Sequence, residues 1–341
     1  MRVFTDRRMT QHAPGAGHPD RPERLEAALA GLAQALGDGQ VAPTTPEAAP
    51  ESALRLVHDA AHVDLVERAR GKAGQFDADT PVSVDSVPAA YLAAGAALGA
   101  LDAVAPTEDD VAWAVVRPPG HHAEAHVPMG FCLFNNAAVA AGHAASLGRR
   151  VAVVDIDVHH GNGTQHMFEA RDDVLFVSLH QHPFYPGTGL PDERGTGRGV
   201  GFTVNVALPR GCGDADYDAA FDTVVVPVLE RFAPEILIVS AGFDAHRDDP
   251  LGGMAVSADG YATMAARMRE LRRPTVLVLE GGYDLSALTE SVAATARAWT
   301  GRLPRPASRP ARPPSPPRSV SDGAAEAIAA TQRVHGRHWG L

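Results

Sequence analysis

The segment VVDIDVHHG (153–161) sets Asp155, Asp157 and His159 at alternate positions. Residues two apart on an extended chain point to the same side, so these three share a face at the end of an apolar run. Two carboxylates and an imidazole there cost a great deal to bury unless a cation compensates them. The nearest basic residues, Arg149 and Arg150, sit at the opposite end of the run. A metal ion is therefore the better answer than an ion pair. Zinc accepts Asp and His ligands, and a catalytic zinc site usually has three protein ligands and an open position. The third ligand must come from elsewhere, and SAGFDAHRDDP (240–250) offers Asp244. Asp248 and Asp249 lie further into that loop beside Arg247 and read as solvated or loop-capping groups. His160 should point away from His159 and reads as a packed histidine. Oxygen ligands with a single nitrogen make a fairly hard site, so Fe2+ or Co2+ fit as well as Zn2+.

Other clusters could add acid–base chemistry. RPPGHHA (117–123) carries the pair His121–His122, and LEGGYD (279–284) carries Tyr283 behind two glycines. Taken alone, a bare His pair is an ordinary turn and a lone Tyr a surface residue. Their weight comes from where they fall. Short Val- and Ile-rich runs at 111–116, 151–156, 174–179, 203–208, 236–240 and 275–279 each end in one of these polar loops. Runs this short, apolar on both faces, read as buried parallel strands. Segments with helical spacing lie between them, clearest at 136–147, 215–232, 257–271 and 285–300. Strand–helix alternation predicts an α/β domain with a central, mostly parallel sheet and helices on both faces. Ligands of such sheets bind outside the carboxyl ends of the strands, where six of these loops would meet.

The chain has 341 residues, 45% of them hydrophobic, enough for one large core. The reading assigns 1–302 to a catalytic domain. It assigns 303–341 to a Pro/Arg-rich strap (303–318) and a helical stretch (324–334) that packs back through Ile328, Trp339 and Leu341. The net charge of −11 argues against a nucleic-acid partner held by its phosphates. The apolar runs are strand-sized, short of the roughly 18 residues of a membrane span, and the N-terminus lacks a secretory pattern. Two cysteines, Cys132 and Cys212, give no disulfide framework. A cytoplasmic setting without a membrane partner is expected, and homo-oligomerisation is left open. Cys132 reads as a packed thiol rather than a nucleophile.

Seven segments together resemble the zinc-dependent histone deacetylase family, in particular its class II-like members and bacterial acetylpolyamine amidohydrolase relatives. They are GHPDRPERL (17–25), RPPGHHA (117–123), GFCLFNN (130–136), VDIDVHHGNGTQ (154–165), SLHQHPFYPGTG (178–189), SAGFDAHRDDPLGG (240–253) and LEGGYD (279–284). The resemblance implies a single arginase/deacetylase-type α/β domain that hydrolyses an acetyl amide of lysine. It implies Asp157, His159 and Asp244 as zinc ligands and His121 and His122 as the acid–base pair. Asp155 and Asn162 become the partners of those two histidines, and Tyr283 the hydroxyl that polarises the carbonyl. Arg24 stands where the family has an arginine near the acetate exit. A potassium ion is implied beside the zinc, held by Asp155, Ser178 and the carbonyls of Asp157, His159 and Leu179. Gly130, Phe131, Phe184 and Tyr185 would wall the acyl-amine tunnel, with Leu251 at its rim.

Three rival readings follow from the same residues. A two-metal ureohydrolase of this fold needs bridging carboxylates on both strands, whereas Asp244 is followed by Ala and His. An acetylpolyamine amidohydrolase would favour an acidic rim. Leu251 is neutral there, and Glu124 could supply the charge. A binding module that had lost turnover would usually lack a ligand or the hydroxyl donor, and here each is filled.

Overall fold

The computed structural model describes residues 1–37, 41–104, 111–301 and 319–341. The strands are β1 (Arg2–Phe4), β2 (Gly74–Gln75), β3 (Pro81–Val82), β4 (Val111–Ala114), β5 (Val151–Asp155), β6 (Val174–Gln181), β7 (Thr203–Leu208), β8 (Ile236–Ala241) and β9 (Thr275–Leu279). The helices are α1 (Glu23–Leu36), α2 (Glu51–Leu54), α3 (Ala60–Arg68), α4 (Ser86–Ala103), α5 (Asn136–Ser146), α6 (Asn162–Phe168), α7 (Asp214–Ala220), α8 (Val226–Phe232), α9 (Ala258–Glu270), α10 (Leu285–Thr300) and α11 (Asp322–Trp339).

Seven strands form one sheet in the order β1-β4-β9-β8-β5-β6-β7, and every pairing in it is parallel. The small β2–β3 pair is antiparallel and separate. Strands β4, β5, β6 and β9 are buried along their whole length. That is the state their unbroken Val, Leu and Ile runs favour, since both faces of a parallel sheet are covered. Helices α4 and α5 pack on each other and on the strands, and α1, α10 and α9 form a second packed series. The α/β reading of the sequence therefore holds.

The differences are local. Strand β1 is not among the runs read from the sequence, because three residues carry no periodicity. The single helix expected at 215–232 is broken by a π-helical turn at Phe221–Val225. Pro227 sits in the first turn of α8; its ring has no N–H and crowds the carbonyl four residues back, which a widened turn relieves. Helix α4 has 18 residues, long and apolar enough by composition to cross a membrane, and 78% of it is buried. Its apolarity is spread over Ala and Gly rather than a run of large side chains, so it does not stand out in the sequence. It is a core helix here.

A second, smaller apolar cluster lies beside the main core. Leu54, Val63, Val66, Val87 and Tyr91 meet Leu133, Phe134 and Val139 in it. This cluster anchors the end of the 117–135 loops through Leu133 and Phe134. Asn135 then ties them together, capping α5 by accepting from the Ala138 N–H at 2.9 Å and donating to Thr164 Oγ1 at 2.9 Å on α6.

The strap expected at 303–318 lies outside the described residues. Helix α11 packs along β7. Thr331 Oγ1 donates to the Asn205 carbonyl at 2.8 Å, and Trp339 Nε1 to the Gly201 carbonyl at 2.7 Å. The indole stands edge-on to Phe202 and Phe232 at 5.6 and 6.3 Å. Replacing Trp339 by Ala is expected to cost roughly 3–5 kcal/mol, the range for large aromatic truncations. The urea midpoint should fall with an unchanged slope. A midpoint equal to wild type would show that α11 adds nothing to the fold.

Candidate metal centre and active site

The sheet order brings the loops after β4, β9, β8, β5 and β6 side by side. Asp155 at the end of β5 has Ser178 of β6 on one side and Ser240 of β8 on the other. From this edge Asp157, His159 and Asp244 converge, with one ligand atom of each lying within 4.8 Å of the others. His159 Nδ1 is 3.1 Å from Asp157 Oδ1 and 3.2 Å from Asp244 Oδ2. The remaining oxygens are oriented by main-chain donors. Gly281 N–H donates to Asp157 Oδ2 and Val158 N–H to Asp244 Oδ1, both at 2.8 Å.

This donor set fits a divalent cation. Both carboxylates are almost fully buried, at 1% and 0% exposure, and no Lys or Arg pairs with either one among the described residues. Burial, and then the charge of Asp157, push Asp244 up to about 7. His159, which burial alone would discharge, is pushed up to about 10 by the two carboxylates. The cluster is thus short of positive charge, which an ion held by one nitrogen and two oxygens would supply. Gly281 is required for the approach, since a Cβ there would lie 2.1 Å from Asp244 Oδ2.

The tandem histidines follow β4 and differ in environment. His121 Nδ1 lies 2.9 Å from Asp155 Oδ2. Burial works against its charge, but Asp157 and Asp155 outweigh burial and hold it well above the usual histidine range. His122 Nδ1 lies 2.8 Å from Asn162 Oδ1. Burial, and then the charges of His121 and His159, hold it well below the usual range. The surroundings therefore favour the cation for His121 and the neutral imidazole for His122. Gly130, in the left-handed region at φ 58°, lies against the His122 ring, where a Cβ would meet Cδ2 at 2.5 Å.

Tyr283 stands just before Asp284, which caps α10 by accepting from the Ala287 N–H at 2.8 Å. The Tyr283 N–H donates to Asp249 Oδ2 at 2.6 Å. Arg24 Nε donates to the Gly282 carbonyl at 2.6 Å, its Nη2 bonds the Glu280 carbonyl, and its guanidinium lies 4.8 Å over the Tyr283 ring. Burial keeps the phenol protonated, well above its usual value, against the opposing pull of Arg24. Asp20 accepts from Arg24 at 2.6 Å and from Arg117 at 3.0 Å, so the same network pins the start of the histidine loop.

The aromatic candidates surround the centre. Phe184 stacks on His159 at 5.2 Å, and Tyr185 stands edge-on to His122 at 5.0 Å. Phe131 is edge-on to Tyr283 at 5.9 Å. Leu251 is half-buried in the turn that Asp249 closes by accepting from the Leu251 N–H at 2.9 Å. The residues expected around a monovalent ion already have protein partners. Asp155 Oδ1 accepts from the Asp157 N–H at 3.1 Å, and Ser178 Oγ pairs with His180 Nδ1 at 2.9 Å. Leu179 is buried between them. His160 is packed and bonded on both nitrogens, to Thr188 and Gln165 at 2.8 and 2.9 Å. Burial pushes the Cys132 thiol well above its ordinary value, which disfavours the thiolate.

Three carboxylates require correction or addition. Glu124 does not charge the rim. It is 7% exposed and turned inward, accepting from Asn162 Nδ2 at 2.5 Å and pairing with His166 Nδ1 at 2.8 Å. Asp249 takes the loop-capping alternative, buried and accepting from the Leu251, Tyr283 and Asp284 N–H groups. Glu280, which has no role in the sequence reading, accepts from the Gly120 and His121 N–H groups at 2.7 and 3.2 Å and from Ser240. Burial pushes it up to about 7. Its only sequence signal is a carboxylate between an apolar strand and two glycines.

A family model described as the histone deacetylase domain matches residues 18–299. The chain is 42% identical to histone deacetylase 15 of Arabidopsis thaliana over 314 residues, 89% of this chain and 57% of that protein. It is 39% identical to the human polyamine deacetylase HDAC10 over 337 residues, 94% of this chain and 49% of that protein. The chain thus spans about half the length of these curated relatives. Among solved structures, the crystal structure of the HDA15 HD domain superposes with a TM-score of 0.90 and 38% identity, covering 99% of this chain and 95% of that one. With a matched model over most of its length and this shared architecture, the chain belongs to the histone deacetylase family.

Proposed function

We propose that this protein is a metal-dependent amidohydrolase that removes an acetyl group from the amine of an acyl-lysine side chain. The observation that carries the reading is the different partnering of two adjacent buried imidazoles, His122 with the Asn162 amide and His121 with the Asp155 carboxylate, beside the Asp157–His159–Asp244 cluster. A zinc ion held by those three residues supplies Lewis acidity to the acyl carbonyl and lowers the pKa of water; Fe2+ or Co2+ would serve similarly.

The chain's own groups do the remainder. Asn162 Oδ1 accepts from the Nδ1–H of His122, which leaves Nε2 as the free base for the attacking water. Asn162 is neutral and does not raise the imidazole as a carboxylate would. The proton that His122 gains then passes to the departing amine nitrogen. His121, kept charged by Asp155, offsets the negative charge that develops. The Tyr283 phenol donates to the oxyanion. Arg24 and Asp249 fix the turn that carries it.

The runner-up is hydrolysis of acetylpolyamines. One observation favours a cationic substrate: Asp79 and Asp77 lie close enough to raise the Tyr185 phenol after burial. They precede Thr80, whose hydroxyl accepts from the Phe131 N–H at 3.2 Å. These acids occupy the role first considered for Glu124. The half-buried, neutral Leu251 leaves the lysine reading ahead. Potassium at Asp155 and Ser178 remains part of the proposal as a structural ion.

Three outcomes test the reading. Tyr283→Phe should lower kcat on an acetyl-lysine peptide by about 10²–10³-fold, the loss of one oxyanion donor. Equal background rates from wild type, Tyr283→Phe and Asp244→Ala would contradict an enzyme. Chelation should abolish turnover, with Zn2+ restoring wild type but not Asp244→Ala. Among acetyl-lysine peptides, acetylputrescine and acetylspermidine, the peptide should have the highest kcat/KM. An advantage of about tenfold for the polyamines, some 1.4 kcal/mol, would make the runner-up correct.

A further inference from the structure

A chain of polar contacts runs from the buried base to the surface. His122 Nδ1 meets Asn162 Oδ1 at 2.8 Å, and Asn162 Nδ2 meets Glu124 Oε1 at 2.5 Å. Glu124 then meets His166 Nδ1 at 2.8 and 3.0 Å. Asn162 and Glu124 are 3% and 7% exposed, while the His166 side chain is 42% exposed. We propose that Glu124 is a positioning residue that decides, through Asn162, which ring nitrogen of His122 is free to accept a proton. The proposal rests on the reading of His122 as the base.

The reason is the ambiguity of an amide. Asn162 alone could turn either its oxygen or its NH2 toward His122. With the oxygen, His122 keeps its proton on Nδ1 and presents a bare Nε2. With the NH2, Nδ1 must accept, the proton moves to Nε2, and the imidazole is no base toward the site. An ionised carboxylate only accepts, so Glu124 takes the NH2 and commits the oxygen to His122. A carboxylate in direct contact would fix the tautomer too, but it would also raise the imidazole pKa. Setting the charge one residue away gives orientation without that rise.

Glu124 is itself held in place. Its main-chain N–H donates to the Val127 carbonyl at 3.0 Å, and its carbonyl lies 3.0 Å from His58 Nδ1. The buried His58 ring is pushed down to about 3 by burial, and its other nitrogen accepts from the Asn135 N–H at 2.9 Å. A neutral His58 donating to Glu124 and accepting from Asn135 leaves no ambiguity in that contact. His166 caps the outer side of the carboxylate, and Glu124 raises its pKa through their hydrogen bond.

The test uses the zinc-loaded enzyme and the variants Glu124→Gln, Asn162→Asp and the double exchange. In Glu124→Gln the new amide can offer oxygen or NH2, so Asn162 loses its commitment. In Asn162→Asp the new carboxylate faces Glu124, and two acids meet. In the double variant the carboxylate at position 162 can only accept, from His122 Nδ1–H and from the amide NH2 at position 124. That rebuilds the polarity with the charge moved inward. Each single exchange should lower kcat by roughly 10–100-fold, as loss of an orienting partner does, with KM nearly unchanged. The double variant should recover most of that loss at pH above the His122 pKa, which the adjacent carboxylate raises. In 15N NMR, His122 should be protonated at Nδ1 in wild type and in the double variant. It should be a mixture of tautomers in Glu124→Gln.

Wild-type kcat with a single tautomer in Glu124→Gln would overturn the proposal, as would a double variant no better than the worse single. If Glu124→Gln does not fold, Glu124→Ala, which also removes the acceptor for Asn162 Nδ2, decides by the same two readouts. If wild type hydrolyses no acyl amide, the functional reading fails, and the His122 tautomers still settle the role of Glu124.

Discussion

Two carboxylates, Asp157 and Asp244, are buried within a few ångströms of one imidazole, and among the described residues no Lys or Arg pairs with them. The main-chain donors and histidines around the cluster answer that imbalance. Unpaired buried charge is among the costliest things a fold can hold. The cluster therefore needs a cation, and the surroundings shape where it sits. Main-chain N–H groups of Gly281 and Val158 turn the outer carboxylate oxygens, so the inner ones face His159. Orientation of ligands by such partners is what makes a metal site rigid.

The same charge sorts the two adjacent histidines. His121 sees Asp155 directly and carries a proton, and its charge helps keep His122 neutral. Two identical side chains in sequence thus take opposite acid–base states because their second partners differ, a carboxylate for one and an amide for the other. Separating the states of neighbouring titratable groups is how one site runs acid and base steps at one pH. The Arg24–Asp20–Arg117 network performs the mechanical counterpart. It joins the loop after β4 to the loop after β9, which holds the histidines and Tyr283 in one frame.

Much of this is legible in the sequence, for definable reasons. The inner strands declare themselves because burial on both faces demands unbroken Val, Ile and Leu, as in VAVVD and TVLVL. Asp155, Asp157 and His159 declare themselves because alternate residues share a face and acids there are expensive. Strand β1 does not, being three residues long at an edge, and neither does the π-turn ahead of Pro227. Glu124 is misplaced for a different reason. The sequence puts it beside His122, but a loop gives no direction to its side chain, and the partner that turns it inward, His166, lies 42 residues away. Glu280 escapes assignment because its work is to hold main-chain N–H groups, which leaves no residue-type signature. Asp77 and Asp79 lie outside the segments that carry the family resemblance.

The central claim is that Asp157, His159 and Asp244 hold one metal ion. Anomalous diffraction from crystals of the zinc-loaded protein, collected on both sides of the zinc edge, measures this most directly. The account predicts one strong peak per chain, bonded to His159 Nδ1 and to a carboxylate oxygen of each aspartate. No peak there, or the strongest peak at another group of residues, would contradict it.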